Sequence, residues 1–287
     1  MQTCWLASYP KSGNTWFRIF LSNLLFPERA PVDPNQLLMS NLIASARGPF
    51  QEILGFNSSL LTSDESACLR PAVDSSIARA WTGALCLRKA HDAYTMLPDG
   101  QPLMGKGPDF KALYILRDPW DVAVSAANHW NLGFEDTVDR LCQDELKPHR
   151  NRDVNEQFPQ HLLSWADHVL SWLHSPMDVC LIHYEDMHRQ PLATFRRAVR
   201  FLGLDRDDDA INDAIQASEF KRLQQLEAKE GFIETPRDGT RFFRKGAMGD
   251  GLSKLTSDQL DRLRVQRKIV DRAIEKKEIG QAGIENR

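Results

Sequence analysis

Short runs of apolar residues recur along the chain, each ending in a polar or charged cluster. They are Trp5-Leu6-Ala7, Ala84-Leu85-Cys86-Leu87, Ala112-Leu113-Tyr114-Ile115-Leu116 and Val179-Cys180-Leu181-Ile182. Apolar runs of this length without alternation are typical of strands covered on both faces, as in a parallel sheet. Between and after them the spacing becomes helical. Thr15 opens an amphipathic helix through Leu25, Asp118 caps and Pro119 starts a helix reaching about Asn128, and a helical stretch spans Leu162 to Leu173. Leu192 to Leu202 ends at Gly203, and Asp258 to about Lys277 carries apolar positions at Leu260, Leu263, Ile269 and Ile274. The pattern predicts an α/β fold: a single domain over residues 1–287, with a central parallel sheet flanked by helices.

The first strand-to-helix junction carries the most chemistry. Tyr9-Pro10 is followed by Lys11, Ser12, Gly13 and Asn14, and then by Thr15-Trp16. A lysine and a hydroxyl precede a glycine that lets a ligand approach the backbone, and the helix that follows points free N–H groups into the loop. This suits an anion. It is not the common triphosphate loop, in which the lysine follows the second glycine. On these residues alone an anion site and an ordinary turn with a solvated Lys11 are equally good readings.

A second cluster follows the third apolar run, at Arg117-Asp118-Pro119-Trp120-Asp121. Its helix carries Ser125 about two turns in, so a guanidinium at a strand end and a helix hydroxyl could grip one phosphate. The alternative is an Arg117 paired with Asp121 or with the capping carboxylate. Near the C-terminus, Arg244-Lys245-Gly246-Ala247-Met248-Gly249-Asp250 places two cations before a glycine, a combination able to wrap a dianion.

YPKSGNTW, LYILRDPWDVAVS and RKGAMGD together resemble the nucleotide-binding motifs of sulfotransferases that use 3′-phosphoadenosine 5′-phosphosulfate (PAPS), particularly bacterial enzymes that modify natural products. The resemblance implies a P-loop-like nucleotide-binding core. It also implies that Lys11, Ser12, Gly13, Asn14, Thr15 and Trp16 hold the 5′-phosphosulfate, while Arg117, Ser125, Arg244, Lys245 and Gly246 meet the 3′-phosphate. Tyr184 in Tyr184-Glu185-Asp186-Met187 would contact adenine, and Ser218 and Phe220 match a segment placed against the adenine ring. Gly251 stands where the family usually has tryptophan, which leaves the conformation after Asp250 open.

Sulfuryl transfer to a hydroxyl needs a base and a cation at the leaving oxygen. Arg88-Lys89-Ala90-His91 resembles the family's K-x-H segment, which makes His91 the general base and Lys89 an aid at the transferred group. Neutral imidazole is abundant near neutral pH, so histidine suits the task. Lys11 is expected to stabilise the bridging oxygen, with Ser125 restraining it until an acceptor arrives. His161, His168 and His174 are read as solvated or capping residues of a helix, and no metal is required because cations already supply the charge.

Net charge is −3, with 36 basic and 39 acidic residues and no long basic block, which argues against a nucleic-acid or anionic-membrane surface. Five cysteines are widely spaced and set largely in apolar runs, a pattern of reduced thiols rather than a disulfide framework or zinc site. With no leader before the first strand and no window of about 18 apolar residues, a soluble cytoplasmic protein is expected. Residues 26–79, with five prolines and apolar clusters such as Leu37-Leu38-Met39, and the polar stretch 131–160 read as short helices and loops that shape the acceptor side; residues 228–251 read as a lid and 3′-phosphate loop. The final helix either packs on the domain or mediates self-association, so a homodimer stays open. Two alternatives also stay open: a phosphotransferase holding magnesium at Glu185 and Asp186, and a nucleotide-binding protein without catalysis.

Overall fold

The computed structural model describes residues 2–37, 43–83, 85–143, 157–235 and 241–285. Four strands, β1 (Thr3–Ser8), β2 (Cys86–Ala90), β3 (Phe110–Leu116) and β4 (Asp178–His183), form one parallel sheet in the order β2-β1-β3-β4. The expected α/β architecture is therefore present. Among the described residues eleven α-helices surround it: α1 (Asn14–Leu25), α2 (Arg47–Leu54), α3 (Ser63–Ala80), α4 (Pro119–Trp130), α5 (Phe134–Cys142), α6 (Trp165–Leu173), α7 (Tyr184–Arg189), α8 (Pro191–Leu202), α9 (Asp208–Ala217), α10 (Phe220–Glu230) and α11 (Ser257–Glu285).

The period of two along each strand splits the core into two layers. Trp5, Ala7, Ala112, Tyr114 and Leu116 face a layer built from α4, α5, α6 and α11, while Cys4, Leu6, Leu113 and Ile115 face α1, α8 and α9. Every residue of β1 is buried, as a central strand covered on both faces requires. The register sets Ser8 beside Ile115 and Leu116 beside His183, so the strands end together. Because β2 and β3 flank β1 on opposite sides, the chain changes direction at β1, the place where open α/β sheets usually bind ligands.

Three elements differ from the sequence reading. Residues 26–79 include an 18-residue helix, α3, which begins with a Thr62/Glu65 capping box and runs through Pro71. Its buried face carries Arg70 and Asp74, whose partners are Asp92 and Arg88, so charge occupies positions where apolar periodicity would have marked a helix. In α11 it is Val270, not Ile269, that turns inward; Val270 is fully buried and Ile269 is 40% exposed. Asp118 occupies the N-cap position of α4, yet its carboxylate pairs with Arg267 instead of capping. Leu38 and Met39, and residues 144–156 of the 131–160 stretch, lie outside the described residues. Among the described residues, no helix is long and apolar enough to cross a membrane.

The pair formed by Arg88 and Asp74 joins the edge strand to α3 with both side chains buried. Breaking such a pair leaves an uncompensated buried charge, so Arg88→Met is expected to cost about 3–5 kcal/mol in urea unfolding, while Arg88→Met with Asp74→Leu restores most of it.

Candidate active site

The loop after β1 bends through left-handed backbone at Lys11 (φ 70°) and Gly13 (φ 102°) and then enters α1. Turns of this kind group successive N–H groups into an anion-binding concavity. Gly13 is required here for space as well as conformation, because a Cβ would lie 2.5 Å from the Tyr184 ring. The Asn14 side chain turns back, donating to the Leu6 carbonyl at 3.0 Å and to Ser8 Oγ at 3.3 Å, and so staples the loop to the strand. Ser12 is buried with no hydrogen-bond partner for its Oγ. A buried, unpaired hydroxyl beside a helix N-terminus is a vacant donor.

Arg117, at the end of β3, connects the separate motifs. Its guanidinium donates to the Lys11 carbonyl at 3.0 Å and to the Ala247 carbonyl at 3.1 Å, and it lies 4.3 Å from the centroid of the Tyr184 ring. The Tyr184 hydroxyl donates to the Gly246 carbonyl at 3.3 Å. Neither carboxylate considered from sequence pairs with Arg117: Asp118 holds Arg267, and Asp121 accepts the N–H groups of Gly249 and Gly251 at 2.7 and 2.9 Å. Those two bonds settle the backbone after Asp250. A Cβ on Gly251 would stand 2.2 Å from the Trp120 carbonyl oxygen, so this loop packs too closely on α4 for a larger residue.

The remaining motif residues are arranged around this junction. Trp16 donates to the Ser218 carbonyl at 2.9 Å, and Phe220 lies directly under Gly246. Ser218 itself is fully buried, its hydroxyl held between Asn23 and the Ala214 carbonyl. Arg244, Lys245 and Lys254 all converge on the Asp250 carboxylate, at 3.3, 2.7 and 2.8 Å. Ser125 is half-buried on α4. Glu185, the alternative magnesium ligand, accepts the Asp118 N–H at 3.1 Å, and among the described residues no cluster of three or more His, Cys, Asp or Glu side chains could hold a metal ion.

Lys11 Nζ rests on the Phe242 ring, 3.8 Å from its centroid, and not on Ser125. Burial lowers its pKa to about 7, with Lys89 and Arg117 adding repulsion and Glu234 opposing the shift. Burial likewise brings Lys89 down to about 8, against the pull of Glu234 at 3.7 Å. Sequence reasoning missed two members of this cluster, Arg18 and Glu234. Glu234 accepts from Thr15 Oγ1 at 3.1 Å and pairs with Arg18, and Lys89 and Arg18 hold its carboxyl far below the usual range despite its burial. Arg18 was visible in the sequence as the lone charge within Phe17-Arg18-Ile19-Phe20, and its Nε and one terminal nitrogen have no partner. Nothing around Glu234 in the sequence marks it.

His91 follows β2 and is half-buried beside Lys89. Its Nδ1 lies 2.8 Å from the Ser8 carbonyl oxygen, which can only accept. The proton therefore sits on Nδ1 and the lone pair on Nε2. Burial first, and Lys89 second, hold the imidazole pKa well below its ordinary value, so the ring is neutral near neutral pH. His168, expected to be solvated or capping, is instead fully buried behind His91. The ring of His188, one turn into α7, is 4.6 Å from Trp16 and 4.9 Å from Tyr184.

Residues 2–274 match the family model of the sulfotransferase domain. Cytosolic sulfotransferase 12 of Arabidopsis thaliana is 25% identical over 275 residues, covering 90% of this chain and 74% of that protein. Sulfotransferase 1A1 of Rattus norvegicus is 25% identical over 279 residues, covering 90% of this chain and 80% of its own length. Among solved structures, a mouse sulfotransferase complexed with PAP superposes with a TM-score of 0.58 at 20% identity, over 94% of this chain and 88% of that one. Retinol dehydratase complexed with androsterone and inactive cofactor PAP gives 0.58 at 19%, over 93% and 80%. With the motifs gathered at the strand ends and the family model matching nearly the whole length, the chain belongs to the sulfotransferase domain family and is a sulfotransferase.

Proposed function

We propose that this sulfotransferase moves the sulfuryl group of PAPS to a hydroxyl of a small-molecule or natural-product acceptor, with His91 as general base. The observation that carries the reading is the Arg117 guanidinium, which spans the Lys11 loop and the 246–247 turn and retains an unpaired, buried Nε. A mononucleotide with one phosphate would need only the loop. Two cationic regions joined by one arginine and flanked by Tyr184 and Phe220 suit a donor with phosphates at both ends of its ribose. The unsatisfied hydroxyl of Ser12, within the loop itself, supports an anion in the same place.

In this mechanism His91 Nε2 takes the acceptor's hydroxyl proton while the acceptor oxygen bonds to sulfur in line with the bond that breaks. The electron pair of that bond goes to the 5′-phosphate oxygen, where Lys11 and the N–H groups at the start of α1 stabilise the charge. Lys89, on the neighbouring strand end, is placed to neutralise the transferred group. The protein's part is to position reactants and supply a fixed field. The Ala44 N–H donates to the Lys89 carbonyl at 2.8 Å, which supports residues 26–79 as a wall of the acceptor side. Retinol dehydratase, a solved neighbour of this fold, is known in complexes with androsterone and PAP and with retinol and PAP, in keeping with a small acceptor.

A panel of phenols, alcohols and natural products with sulfur-labelled PAPS tests the reading. Label transferred to a hydroxyl supports it; transfer of the γ-phosphate from magnesium-ATP, abolished by EDTA, with no sulfur transfer would show a phosphotransferase instead.

Two further outcomes are expected. His91→Ala leaves the affinity for 3′-phosphoadenosine 5′-phosphate unchanged by calorimetry while turnover falls about 10²–10⁴-fold; retained turnover would remove His91 from the role of base. Because Lys11 has its pKa lowered to about 7, it loses charge as pH rises through that value, and product affinity weakens by up to about tenfold per pH unit above it. Lys11→Met removes one proton from that dependence, and an unchanged pH slope would show that Lys11 does not meet the anion.

A further inference from the structure

His91 leaves the sheet as its residue carbonyls lose their strand partners, since β2 ends at Ala90. Side chains of α6 replace those partners. His168 Nε2 lies 3.0 Å from the His91 carbonyl oxygen, and Trp172, one turn further along the same helix, donates Nε1–H to the Asp92 carbonyl at 3.1 Å. Positions i and i+4 of a helix lie on one face, so α6 presents two N–H donors to two successive carbonyls. The segment is fixed beyond them as well: the Asp92 carboxylate pairs with Arg70 at 2.7 Å and accepts the His161 N–H at 3.0 Å, and the Ala93 N–H donates to the His161 carbonyl at 2.7 Å.

The tautomer of His168 follows from these contacts. A carbonyl oxygen cannot donate, so the proton facing His91 is on Nε2, and Nδ1 carries the lone pair. Nδ1 is 2.7 Å from the hydroxyl of Tyr114, which must then be the donor. Tyr114 stands on β3 and His168 on α6, both fully buried, and the edge of Tyr9 closes over the imidazole at 5.3 Å between ring centres. A chain of one-way hydrogen bonds therefore runs from Tyr114 through His168 to the backbone of His91. The His91 ring is tied separately to the Ser8 carbonyl. With its backbone held by α6 and its Nδ1 held by β1, the imidazole has one direction left for Nε2.

We propose that Tyr114 and His168 form a positioning pair for the base, holding the His91 backbone so that Nε2 keeps its aim at the acceptor hydroxyl; this rests on the reading of His91 as base. The pair acts through His91 and touches no reactant. A purely structural role for this buried histidine and the positioning role give different measurements.

The deciding experiment combines nitrogen-15 histidine NMR with a kinetic cycle on the full chain. In the wild type, His91 is expected as the Nδ1–H tautomer and His168 as the Nε2–H tautomer. His168→Leu should release the His91 ring into a mixture of tautomers and lower turnover about 10²-fold, the loss that a misplacement of about 1 Å can cause, with unchanged affinity for 3′-phosphoadenosine 5′-phosphate. His168→Gln, whose amide can donate to the His91 carbonyl and accept from Tyr114, should restore the single tautomer and most of the turnover. Placed in the His91→Ala background, His168→Leu should cost nothing more, because residues acting through one group are non-additive. Tyr114→Phe removes a single oxygen, frees His168 Nδ1 from its donor, and should show the same His91 tautomer mixture in a milder form if His168→Leu fails to fold. Unchanged His91 tautomers in these variants, or a His168→Leu loss that adds fully to that of His91→Ala, would overturn the proposal. If His91→Ala alone retains turnover, the assignment of the base fails, while the NMR result still decides whether His168 holds His91.

Discussion

Arg117 is the constraint on which the site depends. One planar guanidinium, buried at the end of β3, donates to a carbonyl of the first loop and to a carbonyl of the turn near the C-terminus while stacking on Tyr184. Its fork geometry is what allows one side chain to serve two backbone segments 130 residues from its most distant partner. Lysine, with a point charge and no flat face, could not make the same three contacts. The parallel sheet supplies the remainder, since its register ends β1, β2, β3 and β4 together and so places Ser8, His91, Arg117 and Tyr184 on one rim. Loops then need only to cover that rim.

The site gathers more positive charge than a dry interior tolerates, and the structure shows how it is balanced. Glu234 lies among Thr15, Arg18 and Lys89, Asp250 gathers Arg244, Lys245 and Lys254, and Lys11 rests on an aromatic face. Each cation has a temporary or permanent partner that an anionic donor would have to join or displace. The lowered pKa values of Lys11 and Lys89 express the same crowding, because burial without full compensation disfavours the charged form. An electrostatic site of this kind holds its strength in reserve until a ligand supplies the opposite charge.

The sheet was legible because buried parallel strands need unbroken apolar runs, and β1 and β3 have them; β4 carries such a run too, but at the sheet edge only Ile182 is buried. The turn from Lys11 to Thr15 was legible because a glycine after a short polar cluster between an apolar run and a helical spacing marks a strand-to-helix junction, here with left-handed backbone at Gly13. What escaped detection was polar burial. Arg70 and Asp74 on α3 interrupt the periodicity that reveals a helix, and their partners Asp92 and Arg88 are fixed only by the fold. His168 was misread for the same reason: a histidine on a helix reads as solvated until the structure shows Tyr114 and the His91 carbonyl at its two nitrogens. Asp118 shows a related limit, since capping geometry was inferred from sequence position while Arg267, far along the chain, took the carboxylate.

A crystal structure with bound 3′-phosphoadenosine 5′-phosphate is the most direct test of the convergence on Arg117. The account predicts the 5′-phosphate over the Lys11–Thr15 loop and the 3′-phosphate against Arg117 and the Arg244–Gly246 turn, with Tyr184 or Phe220 at the base. A nucleotide that occupies the loop while its 3′-phosphate points away from Arg117, or one bound at another edge of the sheet, would contradict it.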